Sequence, residues 1–564
     1  MQKKIITHFS FLIFLPFILN IFVNFQKRTT FITIIFLSIF LFIYRKFFSD
    51  LSIHQKSNLV EKVSSNNLIN LFFLFLITFI TQNKYLHIET ITWDVPSYLV
   101  ASQEIGRGFI PMETQWESKG PFFFYLYNLI SNIAGDNLVY FKLLNDVLLF
   151  VSSVLLYFSF DSNHTSKSSA LLGSLIFILT TSHIWFVSEL SELYCLIFIS
   201  LSFLIYKRLS NQKYSFLFIG LSVSFATLIN QGTAIFIIPY LIIIFKGIKS
   251  KRPRQFLNFI TGLIIPQSFF IILYWSKSLL ELYISQYIQL PLNYVQSSSP
   301  SFGEIFVIFR SYFEYDYFLY FIFIVGGIFV IHEYFKNSIK SFLDIEFTSF
   351  VTGLLIYFIA GHSYQHHLFY TVFFFSALCV LIESSNKKIF LIMLVVLSSF
   401  SIISKTAPTS IYNLLNTSEI YERYPLKRLS SEIDSRLSLK DYDILALDHV
   451  LILYYLNKPN FSYIVHPSNH NEEYIVKELL RIERIKTNEL NHVSYLIEKE
   501  PEVILCNSKI ISNGEVKKID FYNCAVDDYK KNYKRIDTSI YRYDKNLNYY
   551  FDPYKEISLF IKDF

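Results

Sequence analysis

The chain contains a succession of apolar segments that only a membrane protein can accommodate. Runs of about 17–23 apolar residues recur between residues 5 and 404, where a soluble chain of 564 residues would show amphipathic periodicity instead. Hydrophobic residues make up 52% of the sequence. The sequence therefore predicts a polytopic α-helical membrane protein. About thirteen transmembrane helices are expected, at 5–24, 31–48, 67–83, 138–160, 169–187, 193–206, 214–231, 232–247, 255–275, 317–333, 345–361, 367–384 and 388–404.

Positive charges in the short loops predict the orientation of these helices. An inside N-terminus places Lys3 and Lys4, the run KGIKSKRPR (246–254), and Lys387 and Lys388 on the inner side. The first apolar segment begins with basic residues like a signal peptide, but it lacks a small-residue cleavage site and predicts a retained helix. An odd number of helices then puts the C-terminal tail outside. The segments expected on the same outer side are 91–127, 188–193, 276–316 and 361–367.

The composition changes near residue 405, and this change predicts two domains. Residues 1–404 would form the transmembrane domain, with a first outer loop at 84–137 in which PFFFYLYNLISNIAG (121–135) lies as an interfacial helix. Residues 405–564 are rich in Lys, Glu, Asp, Asn and Tyr, and predict a small α/β domain outside the membrane. Its expected elements are strands at YDILALD (442–448) and EVILC (502–506) and a helix at 472–485. Cys506 and Cys524 could pair there if the compartment is oxidising.

The first outer loop carries more ionisable groups than its apolar surroundings explain. Asp94 lies shortly after the third apolar segment, near the membrane surface, where a carboxylate can accept a proton from an attacking hydroxyl or amine. Lys119, beside Gly120 and Pro121, suits a lipid phosphate, and Arg107 is a weaker candidate of the same kind. Plainer interpretations stay open, because Asp94 also suits a helix cap and Lys119 suits a snorkelling side chain.

Two further polar segments are expected on the same side. Glu189 and Glu192, in VSELSELY, could share a helical face, and one of them could ligate a divalent cation or orient an acceptor. His362 and His366, in AGHSYQHHLFY, are spaced to share a face that binds metal or lipid phosphate. Solvated acids at a helix start and surface histidines are the alternatives.

These segments together resemble bacterial membrane glycosyltransferases of the GT-C superfamily. The stretch DVPSYLVASQEIGRG (94–108) followed by ESKGPFFFY (117–125) is similar to the first outer loop of the glycosyltransferase family 39-like group, which includes relatives of protein O-mannosyltransferases and of the lipid A aminoarabinose transferase. SELSELY, NQGTAIFIIPYLIIIF (230–245), GHSYQHHLFY and LILYYLNKPNFSYIVHP (451–467) resemble later motifs of the group, in the same order.

The resemblance implies the GT-C fold and an inverting hexosyl- or pentosyltransferase that uses a polyprenyl-phosphate sugar as donor. Asp94 matches the presumed base, with Glu192 positioning acceptor, sugar or cation. Lys119, His366 and His362, with Arg107, would contact the donor phosphate. Three departures stand out in this chain: Val95 replaces a second acid, Asn230 replaces a lysine and His362 replaces an arginine.

The implied partners are the lipid-linked donor, membrane lipids and a lipid, glycan or protein acceptor. A net charge of +6 gives no indication of nucleic-acid binding. No cofactor is required by the motifs, and a divalent cation is left open. The resemblance favours the bacterial inner membrane with a periplasmic site. The alternatives are a polyprenyl-linked glycan polymerase or ligase, and a lipid-linked glycan transporter or flippase.

Overall fold

The structure is a computed structural model and is mostly helical. It describes residues 59–160, 167–183, 186, 189–247, 252–297, 303–304, 317–336, 343–359, 364–382, 385–437, 441–470, 472–487, 492–507, 510–512, 515–517, 532–536, 538 and 557–562. The first two predicted transmembrane helices, His362 and Cys524 therefore lie outside the described residues.

The helices of the apolar part follow the predicted segments closely. In chain order they are α1 Leu59–Gln82, α2 Asp94–Gly106, α3 Pro121–Ile133, α4 Leu138–Phe160, α5 Lys167–Thr180, α6 Ser191–Leu209, α7 Ser215–Thr227, α8 Ile237–Lys246, α9 Arg252–Ser276, α10 Leu280–Ile284, α11 Leu290–Ser297, α12 Tyr317–Lys336, α13 Ile345–Ile359, α14 Phe369–Val380 and α15 Ser385–Leu415. Each predicted segment from 67–83 onward coincides with a helix in this series. The segment predicted at 121–135 is the helix α3.

Some of these helices are too short to cross a bilayer alone. Among the described residues, four are long and apolar enough: Asn67–Tyr85, Leu138–Phe160, Arg252–Ser276 and Asn386–Leu415. The shorter apolar helices are Lys167–Thr180, Ser215–Thr227, Gln231–Lys246, Phe321–His332 and Ile345–Ile359. These helices support an integral membrane protein, while the count of thirteen spans stays a prediction.

The tail continues directly from the last apolar helix, because α15 runs across the predicted boundary at residue 404. Its further helices are α16 Thr417–Arg423, α17 Pro425–Leu437, α18 Leu451–Leu456, α19 Glu473–Arg481 and α20 His492–Glu498. Its strands are β1 Ile444–Ala446, β2 Val503–Asn507, β3 Ile510–Ser512, β4 Glu515–Lys517, β5 Tyr533–Ile536 and β6 Ile557–Lys562. The elements predicted at 442–448, 472–485 and 502–506 are thus present.

The tail strands form a mixed sheet in the order β1-β2-β6-β5 and a separate β3-β4 hairpin. Strands β1 and β2 are parallel, with Ile444 opposite Val503, and β6 runs antiparallel to both β2 and β5. Cys506 on β2 is disulfide-bonded, whereas Cys195 and Cys379 are free and buried.

A buried carboxylate joins the tail to the first outer loop. Glu89 is 1% exposed, and its two oxygens accept hydrogen bonds from the backbone amides of Leu426 (2.8 Å) and Lys427 (3.0 Å). These amides begin α17 and have no partner within the helix. The hydroxyl of Tyr455 donates a third bond at 2.9 Å. The tail is therefore anchored beside the loop that carries Asp94.

Helices α7 and α9 touch backbone to backbone at a pair of glycines. A Cβ on Gly262 would lie 2.2 Å from the carbonyl oxygen of Leu217, and one on Gly220 would lie 2.3 Å from that of Phe259. Small residues permit such close crossings in membranes. Because overpacking costs about 1–3 kcal/mol, we expect Gly262→Ala to lower the thermal midpoint of the purified protein.

A matched substitution controls for the change in helix propensity. Gly327 in α12 has open space where a Cβ would stand, so Gly327→Ala should leave the thermal midpoint unchanged or raise it. Equal midpoints for the two alanine variants would show that α7 and α9 do not cross in this way.

Candidate active site

A large cavity lies where the first outer loop, the starts of several helices and the tail meet. Its volume is about 570 Å³. Two 3₁₀ segments, Gln231–Phe236 and Gln365–Leu368, interrupt the apolar helices here and turn polar side chains toward the cavity. Its polar wall includes Asp94, Glu117, Lys119, Glu192, Asn230, His366, His367 and His466. Its apolar wall includes Ile235, Leu290, Pro291, Ile356 and Ile359.

Asp94 is the first residue of α2, so the helix presents its carboxylate at the cavity edge. Its side chain is 35% exposed, and its Oδ1 accepts a hydrogen bond of 3.0 Å from the Tyr98 hydroxyl one turn later. Burial alone would raise the pKa of Asp94, but contact with His466 and the charges of Lys119 and His366 outweigh burial and lower it. Asp94 is therefore an ionised carboxylate that faces the cavity.

Lys119 directly precedes Gly120, whose extended backbone packs closely against residues 228 and 229. The amide of the next residue, Gly120, donates to the carbonyl of Ile229 at 2.9 Å, and a Cβ on Gly120 would lie 2.1 Å from the carbonyl oxygen of Leu228. This approach requires glycine. Burial would lower the pKa of Lys119, but Glu192, Asp94 and Glu117 outweigh it and raise the pKa. Lys119 is thus a fixed cation.

Glu192 belongs to the first turn of α6 and is 1% exposed. Its Oε1 accepts a hydrogen bond of 3.1 Å from the side-chain amide of Asn230 and lies 3.7 Å from His367 Nε2. Asn230, which stands in place of the lysine that the resemblance expects, therefore orients Glu192. Glu189 does not share its face: the backbone at Leu190 is extended, and Glu189 lines a separate small cavity with Lys142.

His366 and His367 enter the cavity from the turn before α14. With Glu192 they offer three ligand atoms that lie within 4.8 Å of one another. Imidazole and carboxylate are ligands that divalent transition metals accept, so this trio fits such a cation. His362, the partner predicted for His366, lies outside the described residues.

The structure gives Arg107 partners outside the cavity. Its guanidinium forms an ion pair with Glu104, three residues earlier on α2, and donates to the side chain of Asn457 at 3.3 Å. Arg107 is not among the residues that line the cavity. A local ion pair accounts for this charge, and a role of Arg107 at the donor phosphate stays a prediction.

Sequence patterns did not assign roles to two groups at the cavity. His466 belongs to the tail, and its Nε2 lies 3.7 Å from Asp94 Oδ1. Glu117 is 1% exposed, its Oε1 accepts from the amide (2.7 Å) and hydroxyl (2.9 Å) of Ser118, and its Oε2 has no hydrogen-bond partner among the described residues. Burial raises the pKa of Glu117. The sequence signal that could have identified Glu117 is its position two residues before Lys119.

Comparison with known proteins gives a match at the level of structure. No family model and no curated protein sequence matches the chain. The crystal structure of ArnT from Cupriavidus metallidurans bound to undecaprenyl phosphate is similar, with a TM-score of 0.57 and 8% identity over 78% of this chain and 93% of ArnT. The oligosaccharyltransferase of Archaeoglobus fulgidus, tethered with an acceptor peptide, gives a TM-score of 0.41 at 11% identity over 78% of this chain and 69% of that one.

At 8% identity the match to ArnT shows a shared fold. We draw no conclusion from the match to the oligosaccharyltransferase, whose TM-score is lower. This chain therefore shares the fold of ArnT over most of its length, and the fold that the resemblance implied agrees with this match.

Proposed function

We propose that the protein is an inverting glycosyltransferase whose donor is a sugar linked to a polyprenyl phosphate. One observation carries the proposal: an ionised carboxylate, Asp94, and a fixed ammonium, Lys119, line the same cavity, which also has an apolar wall at Ile356 and Ile359. An apolar wall suits the lipid of such a donor. The carboxylate and the ammonium suit the two ends of the bond that must break. The shared fold with ArnT, whose structure holds undecaprenyl phosphate, supports the same donor class.

In the proposed reaction, an acceptor hydroxyl or amine attacks the anomeric carbon while the bond to the phosphate oxygen breaks. Asp94 takes the acceptor's proton as general base. The leaving group is the polyprenyl phosphate, whose growing negative charge is stabilised by Lys119 with His366. Glu192, oriented by Asn230, positions the acceptor or the sugar. A divalent cation held by Glu192, His366 and His367 would add positive charge beside the phosphate.

The proposal extends to location and acceptor class. The site would face the periplasm of a bacterial inner membrane, with residues 405–564 as an extramembrane domain over it. A donor on a lipid carrier suits such a face, because nucleotide sugars are confined to the inside. The acceptor would be a lipid, glycan or protein.

A release assay tests the reaction. Purified protein in liposomes is incubated with polyprenyl-phosphate monosaccharides and extracts of lipids, glycans and proteins, and free polyprenyl phosphate is measured by mass spectrometry. We expect acceptor-dependent release with at least one donor and a product one sugar heavier than its acceptor. Transfer of a whole lipid-linked glycan would indicate a polymerase or ligase. Movement of the donor across the bilayer without release would indicate a flippase, and either result contradicts the proposal.

A further inference from the structure

The tail reaches the catalytic cavity through a short strand-like contact with the first outer loop. The Trp116 amide donates to the Tyr463 carbonyl at 2.6 Å, and the Val465 amide donates to the Trp116 carbonyl at 3.2 Å. The buried side chain of Gln115 accepts a hydrogen bond from the backbone amide of Asn460 at 2.8 Å and donates one to the backbone carbonyl of Asn460 at 3.1 Å. These bonds fix the register of the two segments.

This register brings His466 to Asp94. His466 follows directly after the paired segment and is nearly buried, with 11% of its side chain exposed. Its ring packs edge-on against Trp93 at a centroid distance of 6.3 Å, and its Nδ1 contacts the Ser468 hydroxyl at 2.8 Å. Trp93 and Ser468 thus orient the ring so that Nε2 faces Asp94 Oδ1, 3.7 Å away.

We propose that His466 is a positioning residue for Asp94, so that the extramembrane tail completes the catalytic site of the membrane part. This inference rests on the proposed function. Tyr98 and His466 both contact Oδ1 of the carboxylate, which leaves Oδ2 for the acceptor's proton. Two contacts on one oxygen fix the rotation of the carboxylate, and small errors in such orientation slow a reaction strongly.

His466 also influences the charge of its partner. Lys119 and His366 also lower the pKa of Asp94, the Tyr98 hydroxyl donates to its Oδ1, and Glu117 interacts electrostatically with it. Glu117 and Lys119 act on His466 as well. Burial would lower the pKa of His466, but Asp94 and Glu117 outweigh burial and raise it. Loss of the imidazole therefore removes a group that keeps Asp94 ionised, and the pKa of Asp94 should rise.

Two substitutions separate positioning from simple packing. His466→Gln keeps an N–H donor, whereas His466→Phe keeps an aromatic ring without one. We expect kcat to fall on the order of tenfold or more in the phenylalanine variant, less in the glutamine variant, with the donor KM nearly unchanged. The acid limb of the kcat profile should move to higher pH in both. The control is His332→Gln on α12, an exposed site outside the cavity, and it should match the wild type.

The decisive readout is a double-mutant cycle with Asp94→Asn. Because His466 acts through Asp94, His466→Phe should lower kcat little further when Asp94 is already asparagine. Additive losses, wild-type turnover in His466→Phe, or equal losses in the glutamine and phenylalanine variants without movement of the acid limb would each overturn the inference.

The same cycle measured on thermal midpoints does not depend on turnover. If the wild type transfers no sugar but the two substitutions are non-additive in thermal midpoint, the contact stands and the proposed function fails. If the wild type is active and the midpoints are additive, the positioning role fails and the proposed function stands.

Discussion

Asp94→Asn is expected to lower kcat by about 10²–10⁴-fold while the protein folds normally and binds its donor. Asparagine has nearly the shape of aspartate and can still accept the Tyr98 hydrogen bond, but its amide cannot take the acceptor's proton. Initial rates of polyprenyl phosphate release, compared with the wild type at saturating donor and acceptor, measure the effect.

A matched control comes from the same loop. Asp136 is exposed and has φ of 56°, a backbone conformation that asparagine tolerates well, so Asp136→Asn should keep wild-type turnover. Wild-type turnover in Asp94→Asn would remove Asp94 from the mechanism.

Lys119→Met is expected to weaken donor binding about tenfold to a hundredfold, because a hydrogen bond to a charged group contributes about 1.5–3 kcal/mol. Methionine keeps much of the apolar length of the side chain and loses the charge. Binding of undecaprenyl phosphate to the purified variant, measured by native mass spectrometry at several lipid concentrations, gives the affinity.

The charge of Lys119 also offsets three nearby carboxylates, Asp94, Glu117 and Glu192. The variant's affinity for the lipid phosphate should therefore improve as pH falls and these groups protonate. Lys213→Met controls for the loss of one positive charge, because Lys213 is exposed and is not among the residues that line the cavity. Unchanged affinity and pH dependence in Lys119→Met would exclude Lys119 from the phosphate site.

The parts of the site that sequence could predict are those with local signals. Asp94 and Lys119 belong to one loop with an unusual density of charge between apolar segments. Each apolar segment from 67–83 onward predicted a helix that is present, whereas α2, α10 and α11 correspond to no predicted segment. Arg107 belongs to the same loop, but its guanidinium forms an ion pair with Glu104. Composition does not distinguish a cation that pairs locally from one that faces the cavity.

Other parts of the candidate site depend on pairing between segments that are distant in the sequence. His466 faces Asp94 only because Trp116 and Ile464 pair as an isolated parallel bridge, and neither segment shows this in its own sequence. Hydropathy also does not indicate that residues 365–368 leave the α-helix for a 3₁₀ turn. That turn carries His366 and His367 into the cavity.

The most direct test of the account is an experimental structure of the full chain with bound undecaprenyl phosphate. We expect the phosphate within hydrogen-bonding distance of Lys119 Nζ, the lipid chain leaving between Leu290 and Ile356, and Asp94 across a gap wide enough for a sugar. A phosphate bound outside this cavity, or an Asp94 carboxylate separated from it by protein, would contradict the account.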